Sequence, residues 1–120
     1  MHIPKPTDAD KDRFRDLIPP DPGVEVKAMF GNLGAFVNGN MFAGLFGPTI
    51  GVKLGDDDRH ELTAAGGGPF GPPERPMGGY LSLPTAILDQ PDEAAAWIHR
   101  ALEYVAAMPA KQSKTRKPVR

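Results

Sequence analysis

The chain has 120 residues, of which 40% are hydrophobic, and this length supports one domain with one core. It contains no cysteine, which excludes disulfides, thiolate zinc sites and cysteine nucleophiles. Five of its 14 basic residues follow Ala110, so the first 110 residues hold nine basic against 15 acidic residues, a net charge of −6 that argues against a globally basic nucleic-acid-binding surface.

The first half of the chain predicts one helix followed by four strands. The helix is capped by Thr7 or Asp8 and ends near Ile18, ahead of a Pro-Pro-Asp-Pro-Gly segment that stops it. Asn38-Gly39 is a two-residue hairpin signal, because both residue types tolerate a positive φ. The Gly47-Pro48 turn is expected to be wider than two residues or to contain a cis bond. Alternation of apolar and polar residues predicts strands at 24–30, 35–37, 41–46 and 49–54.

The second half predicts two helices and one more strand. Three aspartates open a helix at Asp56 that runs to Ala65, with the carboxylates at its positive end. Residues 66–79 hold ten of the 28 Gly and Pro residues, which predicts one long loop. A fifth strand at 80–83, a helical turn at 84–88 and an amphipathic helix at about 92–108 follow. These elements predict an α+β domain with one antiparallel sheet of about five strands.

The predicted turn register divides this sheet into two faces. Pairing across the turns places only apolar side chains on one face, and we expect the last helix to cover it. These residues are Phe36, Met41, Ala43, Leu45, Ile50, Val52 and Leu54. The opposite face then holds Val37, Asn40, Phe42, Gly44, Phe46, Thr49, Gly51 and Lys53.

The second face mixes polar residues with two phenylalanines, and it pairs two glycines. Glycines inside strands often mark the close approach of another backbone or a ligand. One interpretation is therefore a shallow binding or dimerisation surface formed by Phe42, Gly44, Phe46 and Gly51. The other interpretation is that the first helix or the Gly/Pro loop covers the two rings.

Several sequence elements are similar to those of a known family. Residues 26–34 read Val-Lys-Ala-Met-Phe-Gly-Asn-Leu-Gly, and residues 37–43 read Val-Asn-Gly-Asn-Met-Phe-Ala. Together with Arg-Pro-Met-Gly-Gly-Tyr at 75–80, a Leu-Pro pair and a Trp-bearing last helix, they resemble the N-terminal domain of the TfoX (Sxy) competence regulators. The resemblance covers about residues 14–108, and its Met-Phe-Gly and Asn-Gly-x-Met-Phe-Ala elements are fairly specific in combination.

The resemblance implies a two-layer α+β sandwich, similar in shape to secretion-chaperone-like folds. N-terminal, middle and C-terminal helices are then expected to pack against the antiparallel sheet. The family carries no agreed catalytic residue or cofactor, so none is expected here. Competence regulators of this family have a second, helical domain, whereas this chain ends in a basic segment. We therefore expect a stand-alone domain at 1–110 and a disordered tail at 111–120.

Two further candidate sites rest on side-chain chemistry. Arg75, Met77 and Tyr80 lie where the long loop enters the fifth strand, and an Arg that clamps an anion beside a Tyr that stacks would form a small-ligand contact. Alternatively, Met77 and Tyr80 plug the sheet edge while Arg75 pairs with a surface acid. The tail offers salt-dependent contacts to nucleic acid or to an acidic partner through Lys111, Lys114, Arg116, Lys117 and Arg120.

The first hypothesis for function is a non-enzymatic regulatory or protein-interaction module that binds a partner or itself through the second face. Nucleic-acid association through the tail is the second, and a small-ligand binder or enzyme is the third. No segment approaches the ~20 apolar residues of a membrane span. The first six residues lack the apolar core of a signal peptide, so we expect a cytoplasmic location.

Overall fold

An antiparallel sheet of six strands organises the chain in a computed structural model, which describes residues 5–29, 31–71 and 77–108. The strands lie in the order β1-β2-β3-β4-β6-β5. The predicted α+β class is confirmed, with one strand more than the expected five. In chain order the elements are α1 (Asp8–Leu17), β1 (Val24–Met29), β2 (Asn32–Val37), β3 (Asn40–Phe46), β4 (Thr49–Lys53), α2 (Asp56–Ala64), β5 (Gly68–Pro69), β6 (Tyr80–Ser82), α3 (Thr85–Leu88) and α4 (Pro91–Ala106).

Local sequence sets the start of α1. The Thr7 hydroxyl accepts a hydrogen bond from the Asp10 N–H at 3.0 Å, and the Asp10 carboxylate accepts one from the Thr7 N–H at 2.9 Å. This reciprocal capping box satisfies two backbone donors that the first turn of a helix leaves unpaired. Of the two predicted caps, Thr7 is therefore the one that forms.

Two hairpin turns connect β2, β3 and β4. Asn38 and Gly39 have φ values of 54° and 79°, as a type I′ turn requires, so this predicted turn is confirmed. Phe46 pairs with Thr49, which leaves only two residues in the next turn, and the described residues contain no cis peptide bond. The expectation of a wider loop or a cis bond is therefore wrong. Gly47 has a φ of 62°. A positive φ at the first central position belongs to a type II′ turn, whose second position takes the negative φ that proline has.

A β-bulge at Phe42 makes the predicted face assignment wrong around the first hairpin. Ala35 pairs with Ala43 but Phe36 pairs with Met41, so Phe42 is an extra residue on β3. Between the bulge and the Asn38-Gly39 turn, residues therefore lie on the faces opposite to those predicted. The predicted core residues Phe36 and Met41 lie on the opposite face, whereas the predicted surface residues Val37, Asn40 and Phe42 lie on the core side, with Phe42 fully buried.

The helices cover the face that we call the core face, which presents Ala35, Val37, Phe42, Ala43, Leu45, Ile50 and Val52. Helix α4 supplies most of the cover, and α1 and α2 add Phe14, Leu17 and Leu62 to the same cluster. Tyr104 of α4 is 40% exposed and lies beside Gly55. Within the described ranges, no helix is long and apolar enough to cross a bilayer.

The bulge leads to a stability prediction that compares two phenylalanines six residues apart. Phe42→Ala is expected to lower the free energy of unfolding by about 3–5 kcal/mol, because it opens a cavity in a closed core. Phe36→Ala is expected to cost about 1 kcal/mol, because its half-buried ring leaves no enclosed cavity. Urea denaturation monitored through Trp97 fluorescence measures both, and similar costs would contradict the register shift.

Candidate functional site

A row of small residues crosses the face opposite the core face, which we call the outer face. Gly34, Gly44 and Gly51 are paired in register across β2, β3 and β4. The row continues through Ser82 and Gly68, which pair across β4, β6 and β5. The predicted Gly44–Gly51 pair is therefore confirmed. Because these residues project little or no side chain, the row forms a shallow channel across the sheet.

The ring of Phe70 occupies this channel. A Cβ added to Gly51 would overlap the ring, and one added to Gly44 would lie 3.4 Å from it. Phe70 is only 3% exposed, although it does not belong to the core cluster beneath the sheet. The glycines thus permit close approach of a side chain from the Gly/Pro loop.

Neighbouring groups hold Phe70 in place. Its ring meets Phe46 edge-on at a centroid distance of 6.1 Å and lies 6.3 Å from Tyr80. The Met77 N–H donates to the Phe70 carbonyl at 2.8 Å, which holds the backbone at Phe70. The Tyr80 hydroxyl donates to the Met41 carbonyl at 2.8 Å, and burial raises the pKa of this phenol.

The predicted interaction residues therefore have different environments. Phe42 lies in the core and forms no part of the outer face. Gly44 and Gly51 lie under the Phe70 ring, and Phe46 is half-buried against its edge. Sequence reasoning missed Phe70, although it is the one aromatic residue in a run of Gly and Pro, which was the available signal.

Two of the predicted ligand residues line an open groove of about 770 Å³ at the β5 edge of the sheet. Met77 and Tyr80 contribute to it, whereas Arg75 lies outside the described residues. An Arg59–Asp56 ion pair at 2.9 Å lies at its rim. The Lys53 ammonium lies 5.3 Å from the centroid of the Tyr80 ring, on the outer face. The groove is lined by Asp56, Arg59, His60, Thr63, Gly67, Gly68, Pro69, Met77, Gly78, Gly79, Tyr80 and Leu81.

The remaining polar candidate residues either form ion pairs between helices or lie outside the described residues. Arg100 of α4 binds Asp58 at 3.4 Å and Glu61 at 3.1 Å, so part of the acidic start of α2 ties two helices together. The guanidinium also stacks on Trp97 at 4.3 Å from the ring centroid. The five basic residues predicted to contact nucleic acid, Lys111, Lys114, Arg116, Lys117 and Arg120, lie outside the described residues.

Helices pack on one face of the antiparallel sheet, and the Phe70 ring packs on the other. This arrangement defines the protein as an α+β sandwich domain. Residues 16–105 of the 120-residue chain match the TfoX N-terminal domain family. The chain belongs to that family, which confirms the resemblance carried by the Met-Phe-Gly and Asn-Gly-x-Met-Phe-Ala elements. No curated protein shows significant similarity to the chain.

The contact between Phe70 and the glycine row predicts a coupled pair of substitutions. Gly51→Ala is expected to cost about 1–3 kcal/mol, because the new methyl group displaces the ring. In a Phe70→Ala background the same change is expected to cost much less, because the obstructing ring is gone. Gly78→Ala is the matched control, since a Cβ there meets nothing within 4 Å. Additive costs in a double-mutant cycle would contradict this packing.

The partly buried hydroxyl of Tyr80 predicts a pH-dependent contribution to stability. Tyr80→Phe is expected to cost about 1 kcal/mol at pH 8, because it leaves the Met41 carbonyl without this donor. The folded-state pKa is raised above 10.0, so above that pH the unfolded chain loses the proton first and the wild type loses stability. Urea titrations should therefore show the difference between wild type and Tyr80→Phe shrinking above pH 10. A difference that stays constant or grows above pH 10 would contradict the proposed contribution of the protonated Tyr80 hydroxyl.

Proposed function

We propose that this TfoX N-terminal domain is a non-enzymatic regulatory module that acts in the cytoplasm by binding another protein through its outer face. One observation carries the proposal. The helices pack on the core face, whereas the outer face is filled at its centre by a single inserted ring, Phe70. Around that ring lie side chains that are neither fully buried nor fully exposed.

The types of side chain that lie around Phe70 support a protein partner. Phe36, Met41, Phe46 and Tyr80 all lie on the outer face, and each is half-buried. Aromatic residues and methionine are enriched at the centres of protein–protein interfaces. Phe46 and Tyr80 are fixed through contact with Phe70, so a partner would not have to order them on binding.

Charge indicates the chemistry of the partner. Lys53 lies over the Tyr80 ring, and the Lys27 ammonium lies 5.1 Å from the centroid of the Phe36 ring. Lys27 also approaches an exposed Glu25 carboxylate at 3.7 Å, a contact that solvent weakens. Two cations therefore border an apolar surface on a domain whose first 110 residues carry −6. Such a surface favours a protein with an apolar centre and carboxylates at its rim.

Charge and ring substitutions with matched controls test this proposal. Lys53→Glu and Phe36→Ser are expected to weaken partner binding at least about tenfold, because each removes a contact from the outer face. Arg15→Glu on α1 and Tyr104→Ser on α4 likewise reverse a charge and remove an aromatic ring, but on the helical side, and are expected to leave binding unchanged.

The measurement has two steps. Affinity capture from the cells that make the protein, followed by quantitative mass spectrometry, identifies a protein lost with Lys53→Glu and Phe36→Ser but kept with the controls. Titration of that purified protein then gives dissociation constants for each variant. A chain ending at Ala110 is expected to bind it equally well. Equal capture by all variants would defeat the outer-face proposal, and loss only with the shortened chain would assign binding to the tail.

A further inference from the structure

The two edges of the sheet differ in how they are protected. At one edge β5 has only two residues, Gly68 and Pro69, and proline has no N–H to offer another strand. At the other edge β1 runs for six residues without proline, and its register with β2 is unbroken from Val24 to Met29. Within the described ranges, β1 has a strand neighbour on one side only. An edge of this kind is a template for another strand.

The hairpins determine which backbone groups of β1 point away from the sheet. Val37 and Asn40 flank the two-residue Asn38-Gly39 turn, so they form a hydrogen-bonded pair, and the N–H and C=O of Val37 point toward β3. Val24, which pairs with Val37, is therefore in a non-hydrogen-bonded pair with β2. Its N–H donates to the Asp21 carbonyl at 2.9 Å, consistent with this direction. By alternation, the backbone groups of Val26 and Ala28 also point outward.

Outward groups and charges together select one register for pairing with a second copy of the chain. Antiparallel pairing requires outward residues to oppose outward residues. Centring the pair on Val26 satisfies this requirement and sets Glu25 opposite Lys27 of the other copy, twice. Shifting the centre to Glu25 sets glutamate against glutamate, and shifting it to Lys27 sets lysine against lysine, both of which are unfavourable.

We propose that β1 pairs antiparallel with β1 of a second copy about a twofold axis at Val26, which joins the two sheets into one. The two Val26 residues exchange hydrogen bonds, and the Ala28 N–H of each copy donates to the Val24 carbonyl of the other. On the core side, half-buried Val24 meets exposed Ala28 of the other copy, so apolar contacts continue across the junction. On the outer side, the Glu25–Lys27 pairs fall at non-hydrogen-bonded positions, where side chains approach most closely.

This inference does not depend on the proposed partner, because it uses the edge of the sheet rather than the side chains around Phe70. Lys27 borders both surfaces, so Lys53 rather than Lys27 separates the two proposals experimentally. A strand-edge contact is small, so we expect a dissociation constant on the order of 1–100 µM. Analytical ultracentrifugation of the full chain from about 1 to 300 µM covers that range. Lys53→Glu, which affects the proposed partner surface but not the β1 edge, is expected to dimerise like the wild type.

Charge reversal supplies the decisive comparison. Glu25→Lys and Lys27→Glu each place like charges opposite one another, and each is expected to weaken dimerisation about tenfold or more. An equimolar mixture of the two variants restores both opposite-charge pairs and is expected to dimerise within about threefold of the wild type. Val26→Pro is expected to abolish the dimer, because proline removes an outward N–H that β2 does not use.

Three results would overturn the proposal. The first is a wild-type chain that stays monomeric across the whole concentration range. The second is a dimer whose dissociation constant is indifferent to both charge reversals. The third is a mixture of Glu25→Lys and Lys27→Glu that dimerises no better than either variant alone. The charge variants lie on an exposed strand surface, so they remain informative even if Val26→Pro unfolds the domain.

Discussion

The extra residue at Phe42 determines how the rest of the sheet is used. Without a bulge, strict alternation would turn Phe42 to the outer face and place Phe36 and Met41 in the core. With the bulge, the core receives the fully buried Phe42 ring, and the outer face receives two half-buried apolar side chains. The composition of both faces, and the direction in which the hairpin presents its side chains, therefore depend on a single irregularity in the β2–β3 ladder.

The insertion of Phe70 needs more than the burial of one ring. Fully burying a phenylalanine contributes about 1.5–3 kcal/mol, whereas ordering the backbone of each residue costs about 1–2 kcal/mol, so the ring alone offsets the ordering of only one or two residues beside it. Backbone pairing makes up part of the difference: β5 pairs with β6, and the Met77 N–H bonds to the Phe70 carbonyl. The glycine row matters because it lets these bonds form while the ring packs closely against the sheet.

Features set by local chemistry could be predicted from the sequence, and features set by distant contacts could not. The Thr7 cap and the Asn38-Gly39 turn depend on residues within four positions of each other, and both are confirmed. The bulge depends on how Ala35 and Ala43 pair across the sheet, which alternation along one strand cannot reveal. Strand β5 and the Phe70 contact depend on which part of the sheet the Gly/Pro segment packs against. Gly and Pro residues indicate that a segment forms turns and loops, but they do not indicate what it contacts.

The two proposed surfaces are compatible, and their geometry makes each more useful to the other. A twofold axis that relates antiparallel strands within one sheet is perpendicular to that sheet, so both outer faces of the proposed dimer lie on the same side. A partner that presents two acidic-rimmed surfaces would then engage both copies at once. The second contact becomes intramolecular, and the avidity can exceed a single weak contact by about 10²–10⁴. Weak dimerisation through β1 would thereby make binding to a repeated or dimeric partner depend steeply on the concentration of this domain.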